Sequence, residues 1–289
     1  MRDYAITTDS SCDFDQALAD SLGVTVVPLS VQIGSRRFRN APGEAMDSHS
    51  FYQLLSQGEL AQTSAPNVEE FKAVWRPILQ SGRDLLYLGF SSGLSGTYHN
   101  AAIAAEDLRE EFPEARIITV DTLCASLGQG MLVDLTVQEK RQGKTLDEAA
   151  AFAEKNRLHL CHWFTVGDLS QLRRGGRLSA GKAIVGNLLN IKPVLHVDDE
   201  GHLVPMASAK GRKKSIEALV SHMEESAVAP EQQRVYISHG DCLADAQLLA
   251  QMVRDRLHVS SVTIGDVGPV IGAHSGAGTL ALFFVGTHR

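Results

Sequence analysis

A hydroxyl-rich turn, SSGLSGT (91–97), separates an apolar run, LLYLGF (85–90), from a segment with helical periodicity. The first N–H groups of a helix lack intrahelical acceptors, and together with the helix dipole they attract anions. The hydroxyls of Ser92, Ser95 and Thr97 are further potential donors. The turn therefore predicts a binding site for carboxylate or phosphate oxygens, although simple N-capping explains the same residues.

Four other turns repeat this combination of hydroxyl residues in front of an apolar or helical stretch. They are TDSSCD (8–13), TSAPNVEEF (63–71), DTLCASLGQG (121–130) and AHSGAGTLAL (273–282). In an open α/β sheet, the loops that leave the carboxyl ends of the strands lie along one edge, where ligands usually bind. We therefore expect several of these turns to converge on one ligand.

The same residues raise two enzymatic alternatives, a nucleotide-binding enzyme and an acyl hydrolase. The turn lacks the Gly-Lys-Ser/Thr ending of a P-loop, and no GxGxxG follows the first strand, so we expect no standard nucleotide site. Acyl hydrolysis is the stronger competitor, because Ser95 lies at a strand-to-helix turn and His274 follows far downstream. However, Thr97 stands where a nucleophile elbow has glycine. The aspartates between the two candidate residues include Asp241, Asp245 and Asp266, and the sequence indicates no particular one.

Composition narrows the class of protein. The 289 residues are 44% apolar and 21% charged, which favours two domains with their own cores. A net charge of −7 argues against a nucleic-acid partner. No apolar run is long enough to span a bilayer, and the first residues lack the pattern of a secretion signal, so we expect a cytoplasmic protein without an integral membrane segment. The scattered cysteines and the HLCH motif lack metal-site spacing, and we expect no metal or other cofactor.

In the first half, β-branched runs alternate with helical segments. The runs are YAITTD (4–9), VTVVPLSVQIG (24–34), LLYLGF (85–90) and RIITVD (116–121). This order predicts a parallel α/β layer. After Thr97, apolar residues recur at helical spacing as far as Leu108, which predicts a helix that ends before Pro113.

The pattern changes near residue 160. There DDEG (198–201) predicts a hairpin turn between antiparallel strands, and two strand–helix units follow. We place the boundary between residues 155 and 167. The predicted architecture is a parallel α/β domain over 1–160 and a mixed-sheet α/β domain over 161–289.

Together these motifs resemble the DegV family of bacterial fatty-acid-binding proteins, which includes the lipid-carrying subunits of fatty acid kinase. The resemblance rests on TTDSSCD, TSAP, SSGLSGTYHNA, VDTLCASLGQG, GGRLS with LLNIKPVL, and GAHSGAG, which span nearly the whole chain. It implies a two-domain DegV-like α/β fold with a ligand tunnel between the domains. It also implies a carrier that binds a long-chain fatty acid without transforming it.

The resemblance assigns a head-group site as well. Thr63 and Ser95 would hydrogen-bond the carboxyl group, and His274 would complete the network. Three further residues of matching motifs would line the same end: Gly96, Thr97 and Ser126. All of these donors are uncharged, which would leave the carboxyl oxygens available for phosphorylation. Ala277 stands where the family's closing turn suggests proline, so the rigidity of that turn stays open.

The implied partners are a fatty acid kinase subunit, which phosphorylates the bound acid, and an acyltransferase, which receives the acyl phosphate for phospholipid synthesis. Arg177 of RRGGR (173–177) and Arg212 of KGRKK (210–214) would face the kinase, as basic loops on an acidic chain. Two alternatives stay open. One is a serine acyl hydrolase that uses Ser95 and His274, and the other is a regulatory protein whose pocket is vestigial.

Overall fold

The computed structural model describes residues 2–167, 169–178 and 190–289. Within these residues the chain forms thirteen β-strands and ten α-helices. The strands are β1 (Tyr4–Asp9), β2 (Thr25–Val27), β3 (Ser30–Ile33), β4 (Arg36–Arg39), β5 (Ala61–Ser64), β6 (Asp84–Gly89), β7 (Ile117–Asp121), β8 (Leu160–Thr165), β9 (Ile191–Val197), β10 (Leu203–Lys210), β11 (Arg234–His239), β12 (Ser261–Asp266) and β13 (Leu280–Val285). The helices are α1 (Gln16–Leu22), α2 (Ser48–Ser56), α3 (Val68–Gln80), α4 (Thr97–Glu111), α5 (Ser126–Arg141), α6 (Leu146–Asn156), α7 (Ser170–Arg174), α8 (Arg212–Ser226), α9 (Leu243–Leu257) and α10 (Pro269–Ser275). None of the helices in this part of the chain combines the length and apolarity needed to cross a membrane.

A parallel sheet of four strands, in the order β2-β1-β6-β7, forms the first half of the fold. Every residue of β1 and β6 is buried, because α3 and α4 cover one face and α5 and α6 cover the other. The helix α4 ends at Glu111, ahead of Pro113. The predicted parallel α/β layer and this predicted helix are confirmed.

The run at 24–34 is divided between two sheets, and only its first part joins the parallel layer. Proline has no N–H for a ladder, and β2 ends at Val27, just before Pro28. The N–H of Leu29 then donates to the Ser10 hydroxyl at 2.9 Å. Beyond this point β3 pairs with β4 and β5 in a separate antiparallel sheet, ordered β4-β3-β5.

The second half is built on a six-stranded mixed sheet in the order β10-β9-β8-β13-β11-β12. Only β11 and β12 run parallel among its described pairs. The predicted hairpin is confirmed, because β9 and β10 pair antiparallel around Gly201, which has a φ of 79°. The helices α8 and α9 cover one face of the sheet. The division of the chain at residue 160 stays a prediction.

The long helix α5 lies between the two large sheets and is buried along most of its length. Two glycines allow its close approach. A Cβ atom at Gly128 would collide with His162 and Phe283, and one at Gly130 would collide with Phe14. Gly128 therefore lets α5 pack against the six-stranded sheet, and Gly130 lets it pack against the segment that follows β1.

Candidate functional site

A cavity of about 220 Å³ lies among elements of both halves of the chain. A single water needs only ~10–15 Å³ of such volume, so the cavity suits a larger ligand. Most of its wall is apolar and includes Phe90, Leu94, Phe164, Val197, Leu203 and Phe283. The wall therefore favours a ligand with a hydrocarbon portion.

Four of the five hydroxyl-rich turns converge on this cavity. Their wall residues are Thr63, Ser95, Ser126 and His274. The fifth turn, TDSSCD (8–13), contributes instead to a second cavity through Ser10 and Asp13. The turn is linked to the first cavity through Ser126, a residue of that cavity's wall, whose hydroxyl donates to Asp13 Oδ2 at 2.5 Å.

Thr63 and His274 form the first polar pair of the site. Thr63 lies on β5 opposite Val31, and its Oγ1 is 2.8 Å from Nε2 of His274, near the end of α10. Burial, with a contribution from the Arg177 charge, lowers the pKa of His274 to about 4. The imidazole is therefore neutral at pH 7. With its proton on Nε2 it donates to Thr63, which leaves the threonine proton free for a ligand.

Ser95 and Thr97 form the second pair. Ser95 Oγ lies 2.8 Å from Thr97 Oγ1 and accepts the Thr97 backbone N–H at 3.3 Å. Thr97 is fully buried and lies behind Ser95 rather than in the cavity wall where it was predicted. Its backbone N–H donates to Ser95, and when its hydroxyl donates as well, the Ser95 proton is free for a ligand. Gly96, which lines the cavity, is exposed, so the cavity reaches solvent here.

Ser126 begins α5 with a φ of 54°, in the left-handed region. For a residue other than glycine this conformation costs on the order of 1–3 kcal/mol. Its hydroxyl donates to Asp13 and lies 3.0 Å from Ser238 Oγ. Ser126 thus lines the cavity while its proton is already engaged.

The two arginines predicted to face a partner have different surroundings. Arg177 lies in the cavity wall, and its guanidinium donates to the carbonyls of Leu94 at 3.2 Å and Gly175 at 2.5 Å. Among the described residues, the site therefore contains a cation in addition to the uncharged donors that were predicted. Arg212 lies away from the cavity, where its Nε donates to Asp245 at 2.8 Å. Docking through either arginine stays a prediction.

The hydrolase alternative requires a serine–histidine–carboxylate relay, which the described residues do not form. Ser95 pairs with Thr97, and His274 pairs with Thr63. The candidate aspartates contact other groups: Asp241 contacts His49, Asp245 contacts Arg212, and Asp266 contacts His239. A histidine whose pKa is lowered to about 4 is also a weak general base at neutral pH.

The family model described as an uncharacterised protein of the DegV family matches residues 3–287. The chain belongs to the DegV family. A DegV domain-containing protein from Clostridium perfringens is 41% identical over 286 residues, which cover 99% of this chain and 98% of that protein.

Solved DegV structures share the fold of this DegV chain. A DegV lipid binding protein from Thermotoga maritima superimposes with a TM-score of 0.88 at 28% identity, covering 99% of each chain. A Thermus thermophilus DegV family protein, reported with fatty acid binding, has a TM-score of 0.87 at 33% identity and covers 98% of this chain and 99% of that one. The predicted family and the predicted α/β fold, with a parallel first sheet and a mixed second sheet, are confirmed.

Four polar residues that line the DegV cavity were not predicted to do so from the sequence. They are His162 on β8, Ser238 on β11, and Ser275 and Thr279 of the AHSGAGTLAL turn. His162 Nδ1 lies 2.8 Å from the Leu160 carbonyl, so Nδ1 carries the proton and Nε2 accepts the Ala125 N–H at 3.3 Å. Burial, with a contribution from Arg289, lowers the pKa of His162 to about 3. For His162 and Ser238, the sequence signal was a polar residue next to large apolar residues within a strand.

Proposed function

We propose that this DegV protein binds one long-chain fatty acid, with the hydrocarbon tail in the apolar cavity and the carboxyl group at Thr63 and Ser95. The observation that carries the proposal is that two hydroxyls, each 2.8 Å from a polar partner, lie in the wall of one largely apolar cavity. Relatives with the same fold are described as lipid binding and fatty acid binding proteins, which supports it.

The tail supplies most of the binding free energy. Burying about 14 methylenes contributes on the order of 11 kcal/mol at about 0.8 kcal/mol each. Lost translational and rotational freedom and ligand ordering offset several kcal/mol of this gain. The remainder is compatible with tight binding.

The head group needs hydrogen-bond donors, because an unpartnered carboxylate removed from water loses several kcal/mol or takes up a proton. The protons of Thr63 and Ser95 meet this need when His274 Nε2 and Thr97 Oγ1, each 2.8 Å away, act as the donors of the two pairs. Arg177 adds long-range attraction for an anion. Its guanidinium is already held by the carbonyls of Leu94 and Gly175, so we assign it no direct ion pair with the ligand.

We further propose that the protein presents the carboxyl group to a fatty acid kinase subunit in the cytoplasm and passes the acyl phosphate to an acyltransferase for phospholipid synthesis. Gly96 lines the cavity and is exposed, which supports access from outside to the carboxyl end. In this proposal Arg177 and Arg212 contact the kinase. The protein itself needs no cofactor, because the kinase binds the ATP whose phosphate is transferred.

Organic extraction and mass spectrometry of the purified protein test the binding step. We expect a C14–C18 acid at a near-equimolar ratio. A well-folded protein that is empty and also does not bind added palmitate would contradict the proposal.

For the carrier step, the loaded protein is incubated with ATP and a cognate kinase subunit, and acyl phosphate is expected. Bound lipid that no such kinase phosphorylates would contradict the carrier role.

A further inference from the structure

Two turns from different halves of the chain meet beside the lipid cavity. They are the SSGLSGT turn (91–97) and the DDEG turn (198–201) of the β9–β10 hairpin. A Cβ atom at Gly93 would collide with the hairpin backbone, and one at Gly201 would collide with Ser91 Oγ. Glycine at both positions therefore allows the two turns to approach this closely. The proposed fatty-acid function gives this contact no role.

Ser91 lies at the centre of this contact and is fully buried. Its Oγ donates to the Gly201 carbonyl at 2.8 Å and accepts the Gly93 N–H at 3.2 Å. Its backbone carbonyl accepts the N–H groups of Leu94 at 3.1 Å and Ser95 at 3.2 Å. The side chain of Ser91 therefore contacts the hairpin, while its main chain holds the backbone of Ser95.

The DDEG turn is fixed by its own hydrogen bonds. Asp198 Oδ1 accepts two backbone N–H groups of the hairpin, at 3.0 Å and 2.8 Å. Arg289 donates from Nη1 to the Asp198 carbonyl at 2.9 Å. The strand residues on either side of the turn, Val197 and Leu203, lie in the wall of the lipid cavity. The hairpin thus connects the apolar wall to the Ser91 hydroxyl through a short, hydrogen-bonded turn.

We propose that Ser91 is a positioning residue, which sets the location of Ser95 relative to the apolar wall of the cavity. The inference rests on the proposed binding of a fatty-acid carboxyl group at Ser95. Within the described structure Ser91 does not line the cavity, so it acts through Ser95 and not by touching the ligand. Hydrogen bonds between oxygens span only about 2.5–3.0 Å. A displacement of Ser95 by about 1 Å relative to a tail held by the wall would therefore break its bond to the carboxyl group.

Ser91→Ala tests this assignment in the full-length protein. The variant removes the hydroxyl that contacts the hairpin but keeps the backbone bonds to Leu94 and Ser95, so the turn itself should form. We expect palmitate affinity to fall by about tenfold and hexadecanol affinity by less than about threefold. The difference arises because hydrogen bonds to a charged carboxylate are stronger than those to a neutral hydroxyl. Displacement of a fluorescent fatty acid measures both affinities.

Ser95→Ala provides a second background for the same substitution. Because Ser91 acts through Ser95, Ser91→Ala should cause no further loss of palmitate affinity in a protein that already carries Ser95→Ala. Gly93→Ala disturbs the contact from the other side, since its Cβ would collide with the Glu200 carbonyl, and it should reproduce the selective loss. Equal losses of palmitate affinity in both backgrounds would overturn the proposal. So would equal losses for palmitate and hexadecanol, because a general loosening of the fold affects both ligands.

The matched control is Ser92→Ala, in the same turn. The structure leaves the Ser92 side chain exposed and outside the cavity wall, so both affinities should equal those of wild type. Thermal unfolding followed by circular dichroism verifies that each variant is folded. Wild-type palmitate affinity in Ser91→Ala or Gly93→Ala would overturn this inference and leave the proposed function standing. A wild-type protein that does not bind palmitate would contradict the proposed function and the inference with it.

Discussion

Thr63 Oγ1 on β5 lies 2.8 Å from His274 Nε2 on α10, although 211 residues separate them in sequence. The contact joins the small antiparallel sheet to a helix of the second half. Neither element alone presents a complete head-group site, so the site exists only when the two are packed together. Ser95, on the turn before α4, adds the third segment.

Thr63→Val should weaken fatty-acid binding while keeping the β-branched shape that suits β5. Loss of one hydrogen bond to a charged group costs about 1.5–3 kcal/mol, which corresponds to roughly 10- to 100-fold in affinity. Displacement of a fluorescent fatty acid measures the change. Ser64→Ala is the control, since this neighbouring hydroxyl is exposed and does not line the cavity. Equal affinity of Thr63→Val and wild type would remove Thr63 from the site.

Thr97→Val should lower affinity through Ser95, because it removes the hydroxyl 2.8 Å behind Ser95 Oγ but keeps the backbone N–H. We expect a loss of about three- to tenfold, smaller than for Ser95→Ala. Thr97→Ser retains the hydroxyl and should restore most of the affinity. If the serine variant is as weak as the valine variant, the hydroxyl is not the reason for the loss.

Gly175→Ala tests the position of His274 without changing any proposed ligand contact. A Cβ atom at residue 175 would collide with His274 Nδ1, so the imidazole must shift from its present position beside Thr63. We expect weaker fatty-acid binding with little change in thermal stability, since Gly175 has a φ of −73° that alanine adopts freely. Arg174→Ala, an exposed neighbour, should bind normally. Wild-type affinity in Gly175→Ala would show that the imidazole position is unimportant.

Acidification should destabilise the protein in part through His274. Its folded-state pKa is lowered to about 4, whereas an unfolded histidine titrates near 6.5. Between about pH 6.5 and pH 4, residue 274 is protonated in the unfolded chain but not in the folded chain, so the free energy of unfolding falls as the pH is lowered through this range. Urea unfolding at pH 7 and pH 5 should show a smaller loss for His274→Gln than for wild type. His162 contributes equally to both proteins and cancels in the comparison. An identical pH dependence in the two proteins would contradict the neutral, buried state of His274.

Strong local patterns made much of the fold predictable from the sequence. The runs at 4–9 and 85–90 are continuously apolar or β-branched, and they became the buried centre of the parallel sheet. Helix α4 followed from apolar spacing and Pro113. In contrast, β4 (RRFR) and β5 (AQTS) carry too few apolar residues to stand out, because one face of their sheet is exposed.

Long-range placement could not be read from the sequence. The last strand, β13, inserts between β8 and β11, and no local signal specifies that order. The same limit applies to the site. The hydroxyl of Thr97 was assigned to the wall from its motif, but the start of α4 turns it behind Ser95. Arg177 appeared as part of an exposed basic run, yet the fold places it against the cavity.

A crystal structure of the protein loaded with palmitate tests the central claim most directly. We expect the carboxyl oxygens within hydrogen-bond distance of Thr63 Oγ1 and Ser95 Oγ, with His274 still paired to Thr63 and the tail among Phe90, Phe164 and Phe283. Palmitate in the opposite direction, or a cavity that stays empty under saturating palmitate, would contradict the account.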